Sequence, residues 1–125
     1  MKLQPDKFDV QTISGYGTGW VGVNGEKIHH SVVIGSKGQR LDWQVSQFED
    51  LTEAHFKQLA DMDTELVIFG SGTRLRFPPP AWLQALMAQR VGLETMDTPA
   101  ACRTYNILAG EGRSVVAALL MESAT

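Results

Sequence analysis

The sequence predicts an α/β domain: a largely parallel sheet with helices packed against it, preceded by an N-terminal antiparallel β-layer. Three observations lead there. The second half alternates helix-like and strand-like stretches, which is how a chain builds a parallel sheet. Near the N-terminus an Asn24-Gly25 pair separates two short β-favouring stretches. Continuous apolar runs at 66–69 and 115–120 have strand length and suit strands covered on both faces.

Taken in order, residues 8–16 carry spaced β-favouring side chains and read as a strand, which Gly17-Thr18-Gly19 breaks. Trp20-Val21-Gly22-Val23, Asn24-Gly25 and Glu26-Lys27-Ile28 predict a hairpin, because Asn-Gly tolerates positive φ at both turn positions. Ser31-Val32-Val33-Ile34 either continues the hairpin strand or begins a new one. After a turn at 35–38, residues 40–45 alternate polar and apolar and suit an edge strand. Thr52 is placed to cap a helix running through Met62, with Phe56, Leu59 and Ala60 at core-facing spacing. The run 66–69 ends in Gly70 and reads as a buried strand.

Pro80 can open a helix over 81–90, because a first-turn position does not need the missing N–H. Leu83, Leu86 and Met87 would be its buried stripe, and Gly92 would end it. Residues 93–96 form another short strand. Asp97-Thr98-Pro99 then starts the last helix, with Thr98 the expected cap and Pro99 its first residue. Ala101, Tyr105 and Leu108 share one face of it, and Gly110 or Gly112 can end it in a left-handed conformation.

At 125 residues the chain is most simply one domain, 1–125, able to bury about two thirds of its unfolded surface. With 43% hydrophobic and 20% charged residues it is globular rather than disordered. A formal charge of −3 argues against a broad phosphate-binding face, so nucleic acid is not an expected partner. The single cysteine, Cys102, leaves no internal disulfide and no cysteine-cluster zinc site, which suits a reducing compartment. His29 and His30 are neighbours on a strand and point to opposite faces, so they do not readily chelate one ion. No metal and no cofactor is expected. No apolar stretch approaches the roughly twenty residues of a membrane span. The N-terminus lacks the apolar core of a secretory signal, so the expected location is the cytoplasm.

A longer pattern surrounds the last helix. Met96-Asp97-Thr98, Ala100-Ala101-Cys102-Arg103-Thr104-Tyr105-Asn106 and Glu111-Gly112-Arg113, followed by Val115 and Ala117-Ala118, resemble the signature of a small domain family of unknown biochemical activity, the Mth-type domain. The resemblance extends to Tyr16-Gly17, Val23-Asn24-Gly25, Ser31-Val32 and Ile68-Phe69-Gly70-Ser71-Gly72, nearly the whole chain. Gly70-Ser71-Gly72 stands where many relatives have Gly-Thr-Gly. The family's eukaryotic relatives include a mitochondrial NADH dehydrogenase (complex I) assembly factor and an adipogenesis-associated protein. The resemblance implies a three-layer β/β/α arrangement around a mixed central sheet, and an assembly-factor-like domain that recognises a protein partner without catalysis.

The residues themselves point to one place for chemistry. If the strands at 66–69 and 93–96 are parallel, their C-terminal ends share an edge, where open α/β sheets bind ligands. That edge would gather Gly70, Ser71, Gly72 and Thr73 with Asp97, Thr98, Cys102 and Arg103. Helix-start amides there favour a small anion or a thiolate, and Arg103 can add charge or instead pair with Glu111. Cys102 is either a reactive thiol in this cleft or a small core residue. A nucleophilic cysteine needs a base within reach, and spacing places none of His29, His30 or His55 beside it. No complete catalytic constellation is present. A non-catalytic partner-binding domain is therefore the leading reading, and a small-molecule enzyme or ligand sensor using the cleft is the alternative.

Overall fold

The structure, a computed structural model, describes residues 10–122. The first two residues of the strand expected over 8–16 lie outside the described residues. Three short antiparallel strands form a small sheet: β1 (Ile13–Gly17), β2 (Trp20–Val23) and β3 (Glu26–Ile28). Asn24 (φ 51°) and Gly25 (φ 89°) both sit in the left-handed region, so the turn follows the twist of the strands it joins. Asn24 is also stitched to the chain before β1. Its N–H donates to the Thr12 carbonyl (2.8 Å), and its side-chain oxygen accepts from the Thr12 N–H (2.9 Å).

The remaining strands build a five-stranded mixed sheet. They are β4 (Val32–Gly35), β5 (Arg40–Asp42), β6 (Leu66–Gly70), β7 (Gly92–Met96) and β8 (Val115–Leu119), in the spatial order β5-β4-β8-β6-β7. Ser31-Val32-Val33-Ile34 therefore leads into a new strand of a second sheet. β8 is central, antiparallel to β4 and parallel to β6, while β7 pairs parallel with β6 at the edge. Its side chains alternate faces, and both faces are covered. Val115, Ala117 and Leu119 join Ile68 on one side, and Val116 and Ala118 join Val67 and Phe69 on the other.

Helices close both sides. Between β5 and β6 runs α1 (Glu53–Ala60), α2 (Gln84–Ala88) joins β6 to β7, and α3 (Thr98–Gly110) joins β7 to β8. Stepping from β6 out to β7 and then back past β6 to β8 reverses direction in the sheet. Two crossovers of the same right hand must then use opposite faces. Leu86 of α2 accordingly packs with Phe56, Leu59 and Phe69, whereas Ala101, Cys102 and Tyr105 of α3 pack with Ile68. Val21, Val23 and Ile28 of the small sheet lie in that second cluster too, so α3 and the small sheet share one outer layer. Gly112 (φ 83°) turns the chain out of α3 as expected.

The helix expected over 81–90 is shorter and mixed. A 3-10 turn, Pro80–Leu83, precedes the five residues of α2. A three-residue turn advances the side chains differently from an α turn, so the expected stripe does not stay inward. Leu86 is buried, but Met87 is 72% exposed and does not belong to the core.

Candidate functional site

The C-terminal ends of β6, β7 and β8 meet at one edge, and hydrogen bonds lock them there. Ser71 N–H donates to the Met96 carbonyl (2.9 Å), and Leu120 N–H donates to the Gly70 carbonyl (3.0 Å). Gly72 and Thr98 exchange two bonds. Gly72 N–H donates to Thr98 Oγ1 (2.8 Å), and Thr98 N–H donates to the Gly72 carbonyl (2.8 Å). Thr98 Oγ1 then donates its own proton to the Leu120 carbonyl (2.9 Å). One buried hydroxyl thus ties together the loop after β6, the start of α3 and the end of β8.

That role removes Thr98 from the cap position. Asp97 is the cap: its Oδ1 accepts from Ala100 N–H (2.8 Å), Thr98 is the first helical residue and Pro99 follows it. The first turn offers no spare donor. Thr98 N–H goes to Gly72, Pro99 has none, Ala100 N–H goes to the Asp97 side chain, and Ala101 N–H goes to the Asp97 carbonyl (2.9 Å). The amides expected to attract a small anion are already taken by the protein.

Ser71 is likewise committed. It is fully buried, donates from Oγ to the Arg74 carbonyl (2.8 Å) and accepts from Arg76 N–H (2.9 Å), folding 71–76 into a tight loop. The Arg76 guanidinium donates to the Ser71 carbonyl (2.6 Å), lies 4.7 Å from the centre of the Phe48 ring and pairs with Glu122. The other Glu122 oxygen accepts from Phe48 N–H (3.1 Å). Burial pushes the Glu122 carboxyl up, but the Arg76 hydrogen bond, the Phe48 amide and the charges of Arg76 and Arg74 outweigh it. Its pKa is held below the ordinary glutamate value. Gly72 is required at this point. Its φ is 101°, and a Cβ there would come within 2.6 Å of both the Arg76 guanidinium and the Glu122 carboxylate.

Cys102 and Arg103 part company from the cleft. Cys102 is fully buried among Ile68, Ala101 and Tyr105, and desolvation pushes its thiol up to about 12 despite the lowering charge of Arg103. A neutral, buried thiol is a poor nucleophile. It is a core residue here, not a cleft residue. Arg103 turns away from Glu111 and donates to the Tyr16 hydroxyl (2.8 Å), a bond that also raises the guanidinium pKa.

The other polar members of the same motif face β1. Tyr105 donates to the Gln11 carbonyl (2.5 Å), and burial raises its phenol pKa. Asn106 donates to the Ile13 carbonyl (2.7 Å) and accepts from the Ile13 N–H (2.9 Å). Arg103, Tyr105 and Asn106 therefore fasten the small sheet to α3.

Fastening the small sheet creates a cavity of about 330 Å³ at the edge of the main sheet. Its floor is Gly72, Thr73, Thr98 and Pro99 with the end of β8, and its far wall is the β1–β2 tip, residues 16–20. Of the expected site, Gly72, Thr73 and Thr98 line this cavity, while Gly70, Ser71, Asp97, Cys102 and Arg103 do not. The tip, with Tyr16 and Trp20, was not expected there. Its sequence signals are Gly17-Thr18-Gly19, which reads locally as a strand break, and Tyr16-Gly17, which belongs to the longer family pattern. The Trp20 indole lies over Gly17, where a Cβ would overlap it, and Lys27 Nζ stands 4.5 Å from its ring centre.

His29 is exposed, His30 Nδ1 donates to the Ser31 carbonyl (3.0 Å), and no group of three potential metal ligands occurs among the described residues. No helix among the described residues is long and apolar enough to cross a membrane.

Comparison with known proteins fits this architecture. Human NADH dehydrogenase [ubiquinone] 1 alpha subcomplex assembly factor 3 is 32% identical over 127 residues. The match takes in 94% of this chain but 65% of that protein, so the chain spans less than two thirds of its length. A crystal structure of a Bordetella parapertussis protein aligns with a TM-score of 0.85 at 38% identity, covering 90% of this chain and 97% of the other. The solution structure of a Bordetella pertussis protein described as a Mth938-like domain aligns with a TM-score of 0.82 at 32% identity, covering 100% and 95%. The family model described as "Protein of unknown function (DUF498/DUF598)" matches residues 13–120. This chain belongs to the DUF498/DUF598 family.

Proposed function

We propose that this chain is a non-catalytic, assembly-factor-like recognition domain, and that the cavity between the β1–β2 tip and the start of α3 receives an apolar side chain of a protein partner. The observation that carries this reading is the pairing of an open, aromatic-walled cavity with neighbouring groups already in structural use. Ser71 and Thr98 have their hydroxyls fully hydrogen-bonded, and Cys102 is a buried neutral thiol. Tyr16, Trp20, Pro99 and Met121 give the cavity an apolar surface of the kind that takes an anchor residue. The named role of the bovine and human relatives, NADH dehydrogenase assembly, supports a protein as the partner.

The test is site-specific photo-crosslinking in the native cell. A crosslinker at Thr18, on the cavity wall, should trap a defined polypeptide that one at Lys57, on α1, does not. Thr73→Trp, which fills the cavity from an exposed position, should abolish the adduct while the fold is retained. An adduct formed equally from Lys57, or untouched by Thr73→Trp, would overturn the reading.

A further inference from the structure

We propose that the loop between β6 and α2, residues 71–83, docks on a membrane, and that its partner is the interfacial layer of a lipid bilayer with anionic headgroups. This goes beyond the reading of the cavity and does not rest on it.

The loop inverts the usual burial. Arg76 is turned inward, where its guanidinium bonds the Ser71 carbonyl and Glu122 and lies against Phe48. The apolar residues on either side of it are turned out: Leu75 is 51% exposed and Phe77 is 67% exposed. Large apolar side chains left in water beside a largely buried charge depart from ordinary packing. The arrangement is built into the fold. Ser71 Oγ holds both the Arg74 carbonyl (2.8 Å) and the Arg76 N–H (2.9 Å), and Pro78 is buried. Folding the loop therefore fixes Leu75 and Phe77 at its surface.

The residues that follow indicate which surroundings suit them. Residues 77–83, Phe-Pro-Pro-Pro-Ala-Trp-Leu, carry no charged side chain, and Phe77, Pro79, Pro80 and Ala81 are exposed. Pro78, Pro79 and Pro80 have no N–H, and the Trp82 N–H is spent on the Pro79 carbonyl (3.0 Å). A protein interface carries about one hydrogen bond per 100–200 Å². This surface offers few donors with which to make them. A bilayer asks for none, and there an unpaired N–H is costly.

Charge selects the kind of bilayer. Residues 66–93 carry Arg74, Arg76 and Arg90 and no carboxylate, in a chain whose formal charge is −3. Arg76 is spent on Glu122, but Arg74 is exposed and enters no ion pair among the described residues. It adjoins Leu75 in the chain, so its long side chain can stay at headgroup level while Leu75 and Phe77 enter the apolar layer. Glu49 and Asp50, exposed just after Phe48, act against an anionic surface. The apolar side chains therefore supply most of the affinity, and Arg74 supplies the preference among surfaces.

The experiment is co-flotation of the full chain with vesicles of phosphatidylcholine containing about one quarter phosphatidylglycerol. Two apolar side chains and one charge bind less tightly than an acyl chain, so the lipid is used at millimolar concentration. The parent should float with the vesicles. The double variant Leu75→Ser, Phe77→Ser should partition about tenfold or more weakly, the loss expected when two large side chains no longer leave water. Arg74→Gln should bind these vesicles about fivefold more weakly and pure phosphatidylcholine unchanged, as one basic residue near an anionic surface predicts. All three side chains are exposed, and amide spectra that superimpose away from the loop show that the variants are folded. No flotation with millimolar lipid, or flotation untouched by the double variant, would overturn the proposal. Equal binding by the parent to vesicles with and without phosphatidylglycerol would overturn the choice of an anionic surface. If vesicles are not bound and the double variant abolishes the Thr18 crosslink, the loop belongs to the protein-partner surface and the lipid proposal falls while the cavity reading stands.

Discussion

The side-chain amide of Asn106 completes both hydrogen bonds of Ile13, donating to its carbonyl at 2.7 Å and accepting from its N–H at 2.9 Å. A helix side chain here does the work of a neighbouring strand. It covers the outer edge of β1, which would otherwise expose an unpaired donor and acceptor at the layer boundary.

Asn106→Ala should therefore destabilise the domain by about 1–3 kcal/mol, because two part-buried backbone groups lose their partners. Asn106→Asp should be at least as damaging. Aspartate can still accept from Ile13 N–H, but its second oxygen faces the Ile13 carbonyl. Urea midpoints measure both. A harmless Asn106→Asp would show that the bond to the Ile13 carbonyl contributes little.

Gly25 and Gly70 should both resist substitution, for opposite reasons. A Cβ at Gly25 meets nothing within 4 Å, but its φ of 89° is strained for any L side chain. Gly25→Val should cost roughly 1–2 kcal/mol from backbone strain alone. A Cβ at Gly70 would lie 3.0 Å from Thr98 Cα and 3.1 Å from Ala101 Cβ, where the start of α3 crosses the end of β6. Gly70→Ala should cost about 1–3 kcal/mol by overpacking and should shift Thr98 amide resonances. Gly25→Val should leave those resonances in place. Thr98 shifts from Gly25→Val, or none from Gly70→Ala, would contradict this division.

What the sequence made legible tracks how local the physics is. The Asn24-Gly25 turn depends on two residues and their own dihedrals, so it was readable directly. The 115–120 run was readable because burial on both faces demands apolar side chains without alternation. The meeting of 70–73 with 97–98 followed from crossover geometry. The choice of cap did not. Asp97 and Thr98 are both capping types, and what separates them is the Leu120 carbonyl and Gly72 amide waiting for a hydroxyl. The cavity's far wall was hidden for the same reason: residues 16–20 reach Gly72 and Thr73 only because α3 carries a separate sheet on Tyr105 and Asn106. Spacing also could not decide Cys102, whose helix position suited a reactive thiol and a core residue alike.

Cys102 should be inert to thiol reagents while the domain is folded. Its thiol is pushed up to about 12 by burial, so almost no thiolate is present at pH 8. Labelling with a disulfide reagent should follow the global unfolding equilibrium and match the slowest amide exchange of β8. The raised value also makes folding favour the protonated thiol. That contribution is complete below the unfolded thiol value of about 8.5 and declines as pH rises above it. Rapid stoichiometric labelling under native conditions would mean that Cys102 is reached without unfolding.

Acid should weaken the domain through Glu122 in a way that one substitution removes. Its carboxyl is held below the ordinary glutamate value even though burial opposes the charge, because Arg76 and the Phe48 amide both bind the ionised form. The folded state therefore releases this proton more readily than the unfolded state. The resulting stability is complete above the unfolded value of about 4.3 and is withdrawn as pH falls through the lower folded value. Glu122→Gln keeps an acceptor for only one of Arg76 and Phe48, turns its amide NH2 toward the other, and has no charge to lose. It should be less stable than the parent at pH 7 by about 1–3 kcal/mol, since a half-buried guanidinium is left without its anion. The gap should close as pH drops below about 4, because the parent's carboxyl is then neutralised as well. Thermal midpoints across pH 3–7 provide the measurement. Curves that stay parallel throughout would show that the pair does not stabilise the fold through its charge.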